Sequence, residues 1–386
     1  MKKKRQWIPV LILAVLCLVG LGVFLLSRGN YEKMTGIRRY ITSLVRQDEI
    51  LNTDYIGTVS TEHWSKDDPY RLEDTVILMK DPEHDFVIMN VTDIHISDYW
   101  LDSVLAIRTF AQIRRLVKEL QPDLITLSGD IVWEVMERDD STIYSMHRVT
   151  EFMDSLKIPW AMVFGNHDGK GNCDLNYLAD IMAESEYSLM KKGDPAFGVG
   201  NYVINICEEQ SGEQLPVHSL ILMDSHNGQI PAEQIDWYAW AARGICEIGG
   251  KDVPSTLIMH IPLPEYETAY HEAWDVASES WKDGYGAFGA NHDDFNWIND
   301  EEEKPITAFF ERIKEIGTTK NVLCGHDHRN CASIVYEGVR LTYSLRLGKG
   351  AYFDFDMQGV TTLTINSQGD VLTEHHYMYP YDIKNP

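Results

Sequence analysis

Three apolar runs near the start of the chain each end in a polar cluster, and two helical patterns separate them. The runs begin at Phe86, Leu124 and Trp160, and short runs bounded by Gly, Asp and Asn are typical of buried strands. Between them, apolar residues recur every three or four positions, a spacing typical of amphipathic helices. This alternating order predicts parallel strands, whose carboxyl ends meet at one edge of a sheet. The three polar clusters are therefore expected to lie together.

Side chains of types that can bind metal ions or take part in catalysis fill these clusters. They are Asp93 and His95 after the first run, Asp130 after the second, and Asn166, His167 and Asp168 after the third. Two later strand patterns end in histidine, the first at His260 and the second at His326 and His328. Each motif alone is common in turns, loops or protein cores. Their occurrence in order, each after a strand, favours a shared site, because burying many polar groups together is costly unless something binds them.

The ligand types narrow the choice of metal. Imidazole and carboxylate without thiolate suit divalent ions such as Mn, Fe, Zn or Ni. Glycines precede Asp130, Asn166 and His326, and glycine lets the backbone turn tightly against a ligand. The seven ligand-type residues are Asp93, His95, Asp130, Asn166, His260, His326 and His328. Seven ligands exceed the needs of one four-coordinate site with an open position, and they fit two ions that share a bridging carboxylate.

These blocks together resemble the signature motifs of the calcineurin-like metallophosphoesterases. They read Asp93-x-His95, Gly129-Asp130, Gly165-Asn166-His167-Asp168, His260 and Gly325-His326-x-His328. Gln234–Trp237 and His260–Glu265 are similar to the branch that includes Dcr2-type phosphatases and purple-acid-phosphatase-like proteins. The resemblance implies an α/β fold, a β-sandwich flanked by helices, with a metal pair at the strand ends.

The resemblance also implies a role for each residue. One ion would be bound by Asp93, His95 and His328, the other by Asn166, His260 and His326, with Asp130 bridging them. His167, paired with Asp168, would contact the phosphate as an acid or a stabilising group. The two ions would activate a water molecule for in-line attack on phosphorus. Trp133 stands where purple members have a tyrosine ligand, so the purple colour is not expected.

The N-terminus predicts a membrane anchor. Lys2–Arg5 are basic, and 19 uncharged residues follow from Ile8 to Leu26, enough to span a bilayer as a helix. The positive-inside rule then places the rest of the chain outside the cytoplasm, and secretion after signal cleavage is the alternative. The expected parts are a basic tip and transmembrane anchor (1–30), a stalk with lead-in strands (31–85) and the metallophosphoesterase domain (86–386).

Charge and cysteine usage exclude other classes of protein. The formal net charge of −25 argues against a nucleic-acid partner. The six cysteines include no C-x-x-C pair, so neither a disulfide scaffold nor a zinc ribbon is expected.

The expected function is metal-dependent hydrolysis of phosphate esters in small-molecule or lipid-linked substrates. Pyrophosphate-bond hydrolysis on a nucleotide or lipid-linked diphosphate remains open, as does a non-catalytic binding protein on the same fold. The sequence leaves the oligomeric state open.

Overall fold

A computed structural model describes residues 55–97, 100–133, 141–170, 173–226, 228–292, 308–348 and 352–378. Among these residues, no helix is long and apolar enough to cross a membrane. The anchor predicted at 8–26 and the stalk from 31 to 54 lie outside the described residues. One compact unit, formed by Ile50–Gly350 and Asp354–Pro386, contains all the strands and helices given below.

Strands and helices alternate through much of the described chain. The strands are β1 (Val76–Met79), β2 (Phe86–Val91), β3 (Leu124–Ser128), β4 (Trp160–Val163), β5 (Tyr202–Gln210), β6 (Glu213–Leu222), β7 (Ser255–Ile258), β8 (Trp274–Asp275), β9 (Ser280–Trp281), β10 (Thr319–Cys324), β11 (Ser333–Tyr336), β12 (Val339–Tyr343), β13 (Gly359–Ile365) and β14 (Val371–Tyr377). The α-helices are α1 (Trp100–Leu120), α2 (Ser141–Asp154), α3 (Leu175–Ala183), α4 (Ala232–Gly249), α5 (Glu265–Ala273) and α6 (Ala308–Ile316).

Two mixed sheets form the body of the unit. One has five strands in the order β14-β13-β2-β3-β4, and the other has seven in the order β1-β5-β6-β7-β10-β12-β11. In the first, β2, β3 and β4 are parallel. In the second, β6, β7, β10 and β12 are parallel. The short strands β8 and β9 pair separately as a hairpin.

Alternating side chains join the two sheets to each other and to the helices. Ile88 of β2 and Leu220 of β6 belong to one core, which contains residues of both sheets. The next residue in β6, Ile221, belongs to a second core with Tyr238 of α4 and Phe309 of α6. Successive side chains of a strand point to opposite faces, so neighbouring residues of β6 reach different cores. The predicted sandwich of two sheets flanked by helices is confirmed.

The predicted order around the polar clusters is also confirmed. β2, β3 and β4 coincide with the three apolar runs, and α1 and α2 occupy the two helical patterns between them. The strands are parallel, as their alternation with helices implied. β1 forms an edge of the seven-stranded sheet, where it pairs with β5.

Candidate metal centre

The candidate metal centre lies where the carboxyl ends of parallel strands from both sheets meet. The five-stranded sheet contributes Asp93 and His95 after β2, Asp130 after β3, and Asn166, His167 and Asp168 after β4, and the seven-stranded sheet contributes His260 after β7 and His326 and His328 after β10. Asn166, His167 and His326 are half-buried, and the others are buried. Each sheet therefore supplies part of one site.

One group of predicted ligands contains Asp93, His95, Asp130 and His328, whose ligand atoms all lie within 4.8 Å of one another. The Nε2 atoms of His95 and His328 are 3.1 Å apart. His328 Nε2 is also 3.1 Å from Asp93 Oδ1, and His95 Nε2 is 3.8 Å from Asp130 Oδ2. The four side chains are close enough to bind the same ion.

A second group contains Asp130 again, with His260 and His326. His260 Nε2 is 3.4 Å from Asp130 Oδ1 and 3.3 Å from His326 Nδ1. It is also 3.2 Å from Asn166 Oδ1. The structure therefore brings the predicted ligands into two groups, and Asp130 offers one carboxylate oxygen to each group.

Several of these residues have left-handed backbone conformations. The φ angle is +55° at Asp93, +47° at His95, +52° at Asp130 and +75° at His326. Residues other than glycine rarely adopt this region, and each such residue costs on the order of 1–3 kcal/mol unless its surroundings fix it. Strain of this kind is concentrated at functional sites.

The glycines that precede three ligands are required by close contacts. A Cβ atom at Gly165 would lie 2.3 Å from Asp130 Oδ1, and one at Gly325 would lie 2.5 Å from Asp93 Oδ2. At Gly129, where φ is +90°, it would lie 2.5 Å from the His260 ring. Any other residue would collide with a ligand, which confirms the role that the sequence suggested for these glycines.

His260 lies at a position that favours a cation. Its Nδ1 is 2.8 Å from the backbone oxygen of Ser128, which can only accept, so Nδ1 carries the proton. In the neutral ring Nε2 is then a lone pair, yet it faces the oxygens of Asp130 and Asn166. Burial alone would lower the pKa of His260, but the Asp130 carboxylate raises it to about 9. A proton or a metal ion is therefore stabilised between these atoms, and the donor set fits a metal ion.

The other predicted ligands are held in the protonation forms that can bind a metal ion. Burial, together with His260, lowers the pKa of His326 to about 3. Burial also lowers the pKa of His95 and of His328. Burial opposes ionisation of Asp93, but His328 outweighs it and holds the pKa of that carboxyl below its usual range. Neutral imidazole and ionised carboxylate are the forms that bind a metal ion.

Asp168 is tied to the backbone of the site. One carboxylate oxygen accepts from the N–H groups of Asp130 and Gly165, and the other accepts from those of Ile131 and Val132, at 2.7–2.9 Å. Burial, and then the charge of Asp130, raise the pKa of Asp168 to about 7. These bonds join the turn after β3 to the turn after β4.

His167 lies beside the first ligand group. Its backbone N–H donates to Asp130 Oδ1 at 2.8 Å, and its Nε2 is 4.0 Å from Asp130 Oδ2. The imidazole stacks on the indole of Trp133, with centroids 4.3 Å apart and planes at 18°. His95 contacts both rings edge-on. Trp133 was noted in the sequence only as an absent tyrosine ligand, and the structure shows that it orients His167.

No sequence motif indicated Arg346. Its buried guanidinium donates from Nη2 to the backbone oxygen of Asp93 at 2.7 Å. The residue lies outside every motif, far along the chain from Asp93, so no local signal identifies it. A cavity of about 480 Å³ elsewhere in the unit is lined by Trp64, Tyr70 and Trp240 and by none of the predicted ligands.

Comparison with known proteins decides the family. The model of the calcineurin-like phosphoesterases matches residues 86–330, more than half of the chain. The chain belongs to the calcineurin-like phosphoesterase family. The resemblance inferred from the motifs is thereby confirmed.

Relatives of this family member include a yeast phosphatase and a plant protein. Phosphatase DCR2 of Saccharomyces cerevisiae is 30% identical over 173 residues, which cover 41% of this chain and 30% of that protein. Probable inactive purple acid phosphatase 14 of Arabidopsis thaliana is 24% identical over 277 residues, 64% of this chain and 63% of that protein. The chain therefore spans less than two thirds of the length of either relative.

Comparison with solved structures finds partial similarity at low identity. A dimetal phosphatase from Danio rerio is 11% identical, with a TM-score of 0.44 over 75% of this chain and 95% of that one. A purple acid phosphatase from yellow lupin is also 11% identical, with a TM-score of 0.43 over 76% of this chain and 51% of that one.

Proposed function

We propose that this protein hydrolyses phosphate esters with the help of two divalent metal ions. The observation that carries the proposal is the pair of ligand groups that share Asp130. Membership of the calcineurin-like phosphoesterase family supports it, as does the similarity to a yeast phosphatase.

The two ligand groups support the arrangement of ions that the resemblance implies. One ion would be held by Asp93, His95 and His328, the other by Asn166, His260 and His326, with Asp130 shared between them. Bound ions of this kind lower the pKa of a water molecule and stabilise negative charge on phosphoryl oxygens. The ligand atoms are nitrogen and oxygen only, so Mn, Fe, Zn and Ni all fit.

His167 is the residue proposed to contact the phosphoryl group. The Lys170 ammonium, which can only donate, lies 3.3 Å from His167 Nδ1. The neutral ring therefore carries its proton on Nε2, the atom nearer to Asp130. The side chain is 22% exposed, so the ring is partly open to a substrate. Its stacking on Trp133 keeps the ring in place.

We assign Asp168 a positioning role instead of the catalytic role that the sequence suggested. Both of its oxygens accept backbone N–H groups, and these bonds fix the turn that carries Asp130. The residue would then act through the shared ligand, without touching the substrate.

Assays on the full-length protein test the proposed function. The protein, loaded in turn with Mn, Fe, Zn and Ni, is given phosphate monoesters, diesters and diphosphates. We expect metal-dependent hydrolysis of at least one ester class. Hydrolysis of diphosphates alone would favour the pyrophosphate-bond alternative. Metal binding without any hydrolysis would favour a non-catalytic protein, a possibility that the name of the Arabidopsis relative raises.

We further propose that the predicted anchor is retained and that the phosphoesterase domain faces outward. The basic cluster before the apolar stretch from Ile8 to Leu26 supports this orientation. Protease added to intact cells should then digest the domain. Protection of the domain in intact cells, or its release with a new N-terminus near residue 30, would contradict the proposal.

A further inference from the structure

The edge that holds the metal centre continues one strand beyond His260. β6 runs parallel to β7 and pairs with it, so the residues after the two strands lie level. The hydroxyl of Ser225, just after β6, accepts a hydrogen bond from the N–H of Ile261 at 3.0 Å. The segment Asp224–His226 is therefore attached to the residue that follows a proposed metal ligand.

A chain of hydrogen bonds fixes the His226 ring and its proton. Asn201 Oδ1 accepts from the backbone N–H of Asp224 at 3.0 Å, which identifies that atom as oxygen. The Gln234 amide then donates to it at 2.7 Å and to the Asp224 carbonyl at 2.9 Å. Gln234 Oε1 is left to accept from His226 Nε2 at 2.9 Å. In the neutral ring, Nδ1 is therefore a lone pair.

Two acceptor atoms stand side by side as a result. Asp224 Oδ1 accepts from the backbone N–H of His226 at 2.8 Å, while Oδ2 lies 3.8 Å from His226 Nδ1. Within the described chain, neither Oδ2 nor Nδ1 receives a hydrogen bond. The Asp224 side chain is 13% exposed and that of His226 30%, so a ligand can reach them.

The backbone around this pair has an unusual conformation and approaches the two side chains closely. His226 itself has a left-handed φ of +48°, like several of the proposed metal ligands. A Cβ atom at Gly198, where φ is +94°, would lie 2.2 Å from Asp224 Oδ2 and 3.2 Å from the His226 ring. Any other residue here would collide with Asp224 and crowd the His226 ring, so glycine is required beside the pair.

We propose that Asp224 and His226 bind hydroxyl groups in the alcohol part of the phosphate ester, so that esters of polyols are preferred over esters of simple alkyl alcohols. This inference rests on the proposed function. Two adjacent acceptors complement hydroxyl donors, whereas an alkyl group would leave both without a partner. A site built to hydrogen-bond a substrate hydroxyl rejects an analogue that lacks it for this reason.

A matched pair of substrates tests the preference. Glycerol 1-phosphate and propyl phosphate have the same three-carbon chain and differ only in two hydroxyl groups. For the full-length, Mn²⁺-loaded protein we expect kcat/KM to favour glycerol 1-phosphate by about tenfold or more, the value of one hydrogen bond to a charged acceptor. An equal kcat/KM for the two esters in the wild type would overturn the proposal.

Two variants that conserve side-chain shape test whether Asp224 and His226 cause the preference for glycerol 1-phosphate. Asp224→Asn replaces an acceptor by a donor, and we expect the ratio of the two kcat/KM values to approach one. His226→Gln can keep the bond to Gln234 while losing the Nδ1 acceptor, so the ratio should fall by a few-fold, as for a neutral hydrogen bond. His271→Gln is the control, because His271 is 66% exposed on α5, where it pairs with Glu267, and its ratio should not change. If the ratio were unchanged in both Asp224→Asn and His226→Gln, the proposed binding of hydroxyl groups by this pair would be contradicted.

Direct binding separates this inference from the proposed function. Calorimetry on the Mn²⁺-loaded His167→Ala protein, in which turnover should be slower by about 10²-fold or more, measures the dissociation constants of both esters. Tighter binding of glycerol 1-phosphate, lost when Asp224→Asn is added, supports the inference even if no ester is hydrolysed, an outcome that would count against the proposed function alone. Equal dissociation constants would overturn the inference whatever the activity.

Discussion

His218 lies inside the seven-stranded sheet, and His260 lies at its carboxyl edge, one strand away. Both residues are fully buried. The chain provides each ring nitrogen of His218 with a partner, the backbone oxygen of Gly369 at 2.9 Å and the Thr256 hydroxyl at 3.0 Å. The ring is satisfied when neutral, and burial lowers its pKa to about 4.

The partners of His260 have the opposite effect. The backbone oxygen of Ser128 accepts from Nδ1. Nε2 instead faces Asp130 Oδ1, Asn166 Oδ1 and His326 Nδ1, which all belong to other predicted metal ligands. The carboxylate raises the pKa to about 9 despite burial. Burial alone does not separate a core histidine from a metal ligand. The second ring nitrogen does, because it is satisfied by the chain in one residue and faces further ligand atoms in the other.

Removal of each ring should therefore affect metal binding differently. We expect His260→Ala to lose one ion per chain and more than about 10²-fold in activity, since even groups that only support a ligand contribute 10–100-fold. Excess metal should restore part of the activity. Elemental analysis of the full-length protein checks the first expectation, with His218→Gln as the control that keeps both ions. Two tightly bound ions in His260→Ala would show that His260 is not a ligand.

Substitution of His167 should have a different effect from substitution of a metal ligand such as the neighbouring Asn166. We expect His167→Ala to keep both ions and to lose about 10²–10⁴ in kcat, the usual contribution of an acid–base group. Excess metal should leave that loss unchanged. An aryl phosphate with a good leaving group should recover activity if His167 is an acid, and little if it stabilises charge on phosphorus. A variant that lost an ion, or that excess metal restored, would be evidence for a ligand.

His218 predicts a loss of stability in acid. The pKa of its side chain is 6.5 in the unfolded chain and about 4 in the folded protein. Between these values only the unfolded chain binds the proton, so the free energy of unfolding decreases as the pH falls from 6.5 to 4. The full effect is about 3 kcal/mol. Urea unfolding across this range should show a wild-type loss larger by that amount than the loss in His218→Gln. If the free energy of unfolding changed equally with pH in the wild type and in His218→Gln, the assigned environment of His218 would be contradicted.

The candidate metal centre could be predicted from the sequence because the proposed ligands follow strands. Asp93, Asp130 and Asn166 each come directly after an apolar run, and parallel strands bring such positions together. Trp133 and Arg346 could not be assigned a role, because stacking on His167 and donation to a distant backbone oxygen depend on tertiary packing.

The apolar residues of segment 265–304 have no clear periodicity in the sequence. The described part of the segment nevertheless contains α5 and the hairpin of β8 and β9. Aromatic contacts connect these elements. Trp281 lies edge-on to Trp274, with ring centroids 5.0 Å apart, and to Tyr270 at 5.5 Å. Contacts between single aromatic rings produce no repeating apolar pattern, so periodicity could not identify this segment.

The metal content of the wild type tests the central claim most directly. The full-length protein is stripped with a chelator, reloaded with Mn²⁺, freed of excess metal and measured by elemental analysis, with Asp130→Ala treated alongside. Because Asp130 offers an oxygen to both ligand groups, we predict two ions per wild-type chain and weakened binding of both ions in the variant. A fully loaded wild type with one ion per chain, or a variant that keeps both ions at wild-type affinity, would contradict a shared two-metal centre.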